Sequence, residues 1–570
     1  MIWWWLDQQR AKAEKAAFVA LQEEHDWLAS VRTRHLADFQ LCVDVEVIHA
    51  GETLKLAVIY PRTFPDTPPV VMPYGEKRLS SHQYGPGGEL CLQWRPDNWD
   101  PSVTGAMMVE SAYGLIAAER PSDGASGAVL SEHRSTLAGE LRFETWRLMV
   151  PEGAWRSLDG QLPEAFLQIA VTMTVRRTQR VAHLVAIGAK GNQIWKTPRP
   201  APDAPGERFG YLMRTARNLD LLAQHPGGHF NDLSNLFPEL ASLLAGPQLP
   251  FIVLVEQSGR RTAFDIVRKD GQPFFIPYRI IEEQELLKRS ASNREAVSRK
   301  RVAIVGCGSI GSKIAASLAR AGLRKYVLVD EDIFLTGNLV RNELDAWAIG
   351  WHKVDALADR IGQLATDTDI VVHRVELGSQ TSSLMLESVL EAIGDADLII
   401  DATADPTSFN LCAGAARRHL KSMIWAEVLS GGIGGLVARS RPDVDPPPLE
   451  GQKQIAAWCD DRATPWEFRP GANYDAVGHD EVPFVADDAD VSVIAAHATR
   501  LSLDILQEGQ PAFPNSAYMI GLKKAWIFQA PFDTWPIDLV PIGPWHDPRS
   551  NPDAGDIGGL IADLIDKEVT

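Results

Sequence analysis

Apolar positions change their period several times along the chain, and each change marks an element. Met1 to about Arg34 is rich in Ala, Leu, Glu and Lys and predicts a helix, with Trp3, Trp4 and Trp5 as packing residues at its start. From Phe39 the period drops to two: Phe39, Leu41, Val43, Val45 and Val47, then Leu54, Leu56, Val58 and Tyr60 after Gly51. Such alternation predicts an antiparallel meander. Prolines at 61, 65, 68 and 69 then confine the chain to turns and a sheet edge. A helix is expected around Met107 to Ala118. Between Ser126 and Ser298 the signal is weak, with strands expected at Phe166–Val175, Val181–Ile187, Phe251–Glu256 and Thr262–Val267 and a loop at Pro198–Pro205. Glu282 to Arg301 reads as a helix or linker.

Beyond that point short β-branched runs alternate with helical stretches, the pattern of a parallel sheet covered on both faces. Strands are expected at Val302–Val305, before Asp330, at Leu398–Ile400 and at Met423–Val428, with terminal strands within Tyr518–Phe528. Helices are expected up to about Ala321, at Pro406–His419 and at Val491–Gln507. Pro442–Pro448 opens an irregular segment leading to a polar loop that carries Trp458 and Cys459.

The most informative stretch is Arg301 to Asp332. A buried strand breaks into Gly306, Gly308 and Gly311, a helix follows, and a second strand ends at Asp330. Glycine permits so tight a turn, and the helix N-terminus offers unpaired N–H groups to phosphate. An acidic residue about 20 positions beyond the last glycine is placed for a ribose hydroxyl, so nucleotide binding is expected. Asp332, Asn338, Leu339, Arg341, Asn342, Gly350 and Lys353 follow, and the next strand ends in Asp401-Ala402-Thr403-Ala404-Asp405. A dehydrogenase needs no such polar series, whereas an adenylating site uses Arg and Lys against a triphosphate and an Asp for magnesium.

This set resembles the adenylation domain of ubiquitin-activating enzymes and their bacterial ThiF and MoeB relatives. The resemblance implies ATP and Mg2+, with Asn338, Arg341 and Lys353 touching the phosphates. That family usually reads Asp-x-Thr-Asp-Asn where this chain has residues 401–405, so the magnesium carboxylate is Asp401 or Asp405, with Asp401 favoured. It also places a catalytic cysteine in a crossover loop, often with a proline six residues on. Cys459 and Pro465 fit that spacing. Adjacent Asp460 and Asp461 would raise the thiol pKa unless Arg462 offsets them.

Nearer the N-terminus, Tyr60-Pro61, Phe64-Pro65 and Pro68-Pro69 lead through Ser81-His82-Gln83, Gly88 and Cys91-Leu92 to Trp99 and Pro101. The punctuation is similar to that of ubiquitin-conjugating enzymes. The resemblance implies a thioester on Cys91, suited because a thiolate is nucleophilic and a thioester stays reactive toward an amine. Gln83 stands where that family has the Asn that steadies the oxyanion, beside His82, and Asp123 stands where an acidic residue could orient the incoming amine.

The expected fold is therefore multidomain α/β. Residues 1–125 form an α+β ubiquitin-conjugating-like domain and residues 126–290 a mixed α+β connecting domain. Residues 291–570 form a Rossmann-like ThiF-type adenylation domain. Such a fusion resembles those of CBASS antiphage operons and other bacterial ubiquitin-like operons. By that resemblance ATP activates the C-terminus of a ubiquitin-like modifier or of a CBASS nucleotidyltransferase, which passes through Cys459 and Cys91 to a target lysine. The relatives imply a homodimer. A sulfur-carrier adenylyltransferase with a non-catalytic N-terminal docking domain is the alternative, and a relic scaffold is disfavoured because Arg341, Lys353 and Asp401 occur together.

Composition narrows the partners. A net charge of −18 argues against nucleic acid, and no run reaches the ~18 apolar residues of a membrane span. Five cysteines without a C-x-x-C pair indicate neither a disulfide framework nor structural zinc, and cytoplasm is the expected compartment. His225 and His229 flank a surface loop rather than a metal cluster. The chain lacks a Gly-Gly end, so the modifier is expected to be a separate protein.

Overall fold

The computed structural model describes residues 2–75, 79–80, 83–84, 88–119, 137–141, 145–151, 153–158, 166–197, 207–219, 228–240, 249–283, 294–462, 486–507 and 511–545. Its contacts divide the chain into two units, Met1–Phe143 and Glu144–Thr570.

In the first unit, α1 (Trp3–Leu6) and α2 (Gln8–Glu24) precede an antiparallel meander. The meander comprises β1 (Leu28–His35), β2 (Leu41–His49), β3 (Glu52–Ile59) and β4 (Val70–Pro73). The helix expected as far as Arg34 thus ends ten residues early. Val31 and Thr33 are stiff at χ1, and their strand finds a partner, with Val31 opposite Val45 and Thr33 opposite Val43. Period two along β2 buries Val43, Val45 and Val47 against α2 and α3 (Gly105–Glu119). Between β4 and α3 lies a two-stranded ribbon, β5 (Gln83–Tyr84) with β6 (Glu89–Leu90). A buried carboxylate pins these layers: Glu14 accepts from Tyr60 Oη at 2.5 Å and from the Gly105 N–H at 2.7 Å.

The second unit holds two sheets. The first contains β7 (Trp146–Val150), β8 (Phe166–Arg176), β9 (Gln179–Ala189), β10 (Asn192–Lys196), β11 (Glu207–Thr215), β12 (Gly228–His229), β13 (Phe251–Glu256), β14 (Arg261–Lys269) and β15 (Gln272–Glu282). Its order is β10-β9-β7-β15-β14-β13-β11-β8, and β8 pairs back onto β9, so the strands from β9 to β8 close in a ring. Closure leaves no open edge in that ring. The mixed α+β layer expected here is mostly β among the described residues, with α4 (Leu137–Glu140) before it and α5 (Phe230–Leu236) within it. Pro273 and Pro277 lie within β15, and prolines of that kind mask a strand in sequence. His229 lies on β12, paired with Phe274; His225 is outside the described residues.

After α6 (Arg294–Arg299), the second sheet follows the order β18-β17-β16-β19-β20-β21-β22-β23. Its strands are β16 (Arg301–Val305), β17 (Lys325–Val329), β18 (Asp369–His373), β19 (Leu398–Asp401), β20 (Ser422–Val428), β21 (Gly434–Ser440), β22 (Ala517–Gly521) and β23 (Thr534–Ile537). The run from β18 to β20 is parallel and β21 to β23 antiparallel. The helices are α7 (Ser309–Ala321), α8 (Lys353–Leu364), α9 (Ser383–Gly394), α10 (Pro406–His419), α11 (Pro448–Asp460) and α12 (Asp488–Leu506). The chain moves outward from β16 to β18 and then returns to its other side with β19. The strand order therefore reverses at β16, where ligands settle in open sheets.

Candidate functional site

The glycine segment joins β16 to α7 at this reversal. Gly306 has φ +85°, and a Cβ there would meet the Ala402 carbonyl at 3.0 Å. A Cβ on Gly311 would lie 1.8 Å from the Gly306 oxygen, so only glycine lets α7 sit so close to the loop. Gly308 caps α7 without a side-chain hydrogen bond, and Gly308, Ser309 and Ile310 face the adjoining cleft. The first-turn N–H groups are therefore presented to whatever lies there.

The cleft is about 790 Å³. It collects Gly306, Gly308, Asp330, Asp332, Asn338, Arg341, Lys353 and Asp405, all singled out from sequence. Gly311 and Asp401 do not line it. Each of the others is held by local geometry. Asp330 Oδ2 accepts the Cys307 N–H at 2.7 Å and Oδ1 the Asp332 N–H at 2.9 Å, while burial pushes its carboxyl pKa up. Lys353, 8% exposed, donates from Nζ to Asp332 Oδ2 at 2.5 Å, and its own N–H donates to the Asp332 carbonyl at 2.9 Å. Asn338 Oδ1 accepts the Leu335 N–H at 2.8 Å and shapes the turn that carries Arg341.

Five carboxylates line the cleft, Asp330, Glu331, Asp332, Glu376 and Asp405, against the side chains of Arg341 and Lys353. Burial first, and then Glu331, raise the pKa of Glu376. A triphosphate in so acidic a cleft requires a divalent cation to offset the repulsion, so these residues fit a magnesium nucleotide. Among the described residues no cluster of three His, Cys, Asp or Glu groups could hold a metal ion. An ion here would complete its shell with phosphate oxygens. Asp405 is the carboxylate of the 401–405 segment that reaches the cleft, and its Oδ2 also caps α10 through the Ser408 N–H at 2.7 Å. Asp401 stands behind it, 3% exposed, accepting from Thr403 Oγ1 at 2.6 Å. Burial pushes its pKa up to about 6.

A second cavity of about 350 Å³ adjoins the first, sharing Ala404 and Asp405. Trp425, Glu427 and Lys453 line it, and sequence reasoning missed all three. Glu427, half-buried beside Asp401, has its pKa pushed up to about 7, by burial first.

The expected cysteine loop is a helix. Cys459 occupies the last turn of α11, 0% exposed among Ile455, Phe409 and Met519. Pro448 opens that helix and the run Gln452–Trp458 favours it. Burial and then Asp460 push the Cys459 thiol up to about 11, with Arg462 opposing. Thr464 and Pro465 are outside the described residues.

In the first unit, Cys91 is half-buried directly after β6, between buried Leu90 and Leu92. Trp99 Nε1 donates to the Pro65 carbonyl at 2.7 Å, joining the two proline turns recognised in the sequence. Gln83 Oε1 accepts the Ser80 N–H at 3.0 Å while Nε2 donates to the Gly88 carbonyl at 2.9 Å. Its amide thus ties the ribbon together. His82 and Asp123 are outside the described residues. No disulfide joins any of the five cysteines, all of which are described. No described helix is long and apolar enough to cross a membrane.

Residues 283–446 match the ThiF family. The chain is 27% identical over 249 residues to the uncharacterized protein y4qC of Sinorhizobium fredii, covering 42% of each chain. It is 30% identical over 129 residues to the ATP-dependent ubiquitin transferase-like protein Cap2 of Pseudomonas aeruginosa, covering 22% of each. Both alignments span less than half of the relative's length. A solved structure of Escherichia coli MccB with ATP is 16% identical, with 44% of this chain and 67% of that chain covered at a TM-score of 0.33.

Proposed function

We propose that the chain activates the C-terminal carboxylate of a protein with MgATP and passes the acyl group to Cys91 for transfer to a lysine amine. One observation carries this reading: the glycine turn, Asn338, Arg341, the Lys353–Asp332 pair and Asp405 converge on one cleft at the strand-order reversal. The ThiF match over residues 283–446 and the name of the Cap2 relative support it.

In this reading the α7 N-terminus, Arg341 and Lys353 hold the phosphates, and Asp405, with Asp401 behind it, would hold magnesium. Bound there, the ion would offset the charge on the leaving pyrophosphate. A carboxylate oxygen attacks the α-phosphorus, the bond to the bridging oxygen breaks, and pyrophosphate leaves. A thiolate then attacks the acyl carbon and AMP departs; the target amine next displaces the thiolate. Cys91 follows a short ribbon anchored by Gln83, and its thiol is half-buried. Those features support it as the thioester carrier.

The place of Cys459 divides this reading into two routes. The sequence-derived route loads Cys459 first and Cys91 second. Its complete burial and raised pKa favour the other, in which the adenylate passes directly to Cys91. The modifier or nucleotidyltransferase tail acts in either case as a separate acyl donor, and the chain works as a homodimer. Exposed Leu335 and Val340, which line the cleft, support such an assembly, and light scattering at micromolar concentration checks it. ATP–pyrophosphate exchange that depends on an added acyl donor tests the central claim. Exchange without such dependence, or none with any donor, would remove it.

A further inference from the structure

The cavity beside the nucleotide cleft contains a buried donor without a partner. Trp425 is 5% exposed, and its Nε1 makes no hydrogen bond. A buried donor left unpaired is unfavourable, so a ligand that supplies an acceptor gains by pairing with it. Glu427 stands two residues further along β20, so both side chains emerge from the same face of the strand. Phe409 packs edge-on against Trp425 at 5.4 Å, and Leu436 and Ile455 complete apolar walls. The cavity thus pairs an N–H donor with a carboxyl group between apolar walls, and Asp401, Asp405, Gln452 and Lys453 supply the rest of its described polar lining. Its shared wall, Ala404 and Asp405, belongs equally to the cleft proposed to hold ATP.

We infer that this cavity takes the side chain of the residue whose carboxylate is activated, and that it selects a carboxamide, Asn or Gln. The inference rests on the adenylation reading, because that reading brings the acyl donor's last residue to this wall. A terminal glycine leaves the cavity unfilled. An aliphatic side chain leaves the indole N–H unpaired, and Lys or Arg offers it no acceptor. Asp or Glu sets a further negative charge among Glu427, Asp401 and Asp405, against the lining cation Lys453, whose Nζ already donates to Glu450 at 3.4 Å. A carboxamide matches both groups, its oxygen accepting from Trp425 Nε1 and its NH2 donating to Glu427.

Calorimetry on the full chain tests this with short peptides identical except for a last residue of Asn, Gln, Gly, Leu, Lys or Asp. The Asn or Gln peptide is expected to bind at least about ten-fold more tightly than the Gly and Leu peptides. Trp425→Phe, which keeps a ring in the cavity, should erase that difference and leave the Gly peptide unaffected. Equal or tighter binding of the Gly peptide would overturn the inference, as would no binding of any peptide at millimolar concentration. So would a Trp425→Phe penalty shared by all peptides, which would make the main chain the acceptor. Pyrophosphate exchange with the same peptides reports separately on adenylation. A carboxamide preference in binding without exchange would sink that reading and leave the selectivity standing.

Discussion

The N–H of Cys307 donates to Asp330 Oδ2 at 2.7 Å, joining the loop after β16 to the end of β17. The second oxygen of Asp330 takes the Asp332 N–H, so one carboxylate orders both rims of the cleft. The residue that the sequence motif assigns to a ribose hydroxyl therefore also builds the turn beneath it. Asp330→Ala leaves two amides without their acceptor and should lower stability by about 1–3 kcal/mol. Asp330→Asn retains one acceptor and should cost less. Denaturant melts of the two variants check the order, and equal losses would separate Asp330 from the loop.

Lys353→Ala and Arg341→Ala remove the basic side chains that line an acidic cleft. Each should slow donor-dependent ATP–pyrophosphate exchange by about a hundred-fold or more. Lys353→Ala also deprives Asp332 of its counter-charge, so its melting temperature needs measuring alongside. Unchanged exchange in either variant removes that residue from phosphate binding.

The two thiols differ in burial, which predicts their chemistry. At about pH 8, iodoacetamide should alkylate Cys91 well before Cys459, because alkylation requires an accessible thiolate and the Cys459 thiol is raised to about 11. Peptide mass mapping reads the order. With an acyl donor and MgATP, Cys459→Ala should still charge Cys91 if transfer is direct. An empty Cys91 in that variant restores the two-step relay, and a Cys91→Ala variant should then trap the acyl group on Cys459.

Asp401 and Glu427 give a pH dependence of definite sign. Their folded pKa values, about 6 and about 7, lie above ordinary unfolded values, so the folded state binds more protons between about pH 4 and about pH 7. Their contribution to stability is present at low pH and is lost as pH rises through the folded values. Glu427→Gln should therefore melt at more nearly equal temperatures at about pH 5 and about pH 8 than the parent chain. The same slope in both would show that Glu427 titrates normally.

What the sequence revealed depended on whether a local pattern determined the structure. The turn at Gly306 and the helix Pro406–His419 were legible because glycine geometry, a strand and a capped helix lie close together in the chain. The convergence of Asn338, Arg341 and Lys353 was legible for a related reason, as they follow successive turns on the same side of the sheet. The Trp425–Glu427 cavity was not. Trp425 reads as an ordinary apolar strand residue, and only its pairing with Asp401 and the approach of α11 reveal a hollow beside it. Cys459 misled in the opposite direction: its polar neighbours suggested a loop, whereas spacing from Ile455 buries it on one helix face. In the ring of strands from β9 to β8 the pairings are mostly non-local, and no single segment announces them.

The close contact of Gly311 with the Gly306 oxygen has a thermodynamic consequence. A turn packed this tightly onto the first coil of α7, and against Ala402 on its other side, has little freedom left to lose. Its amides need not be ordered when an anion arrives, so the conformational entropy of the loop was spent during folding. Binding should then show a small entropic penalty at this loop, with the ordering cost carried instead by the flexible tail of the incoming polypeptide.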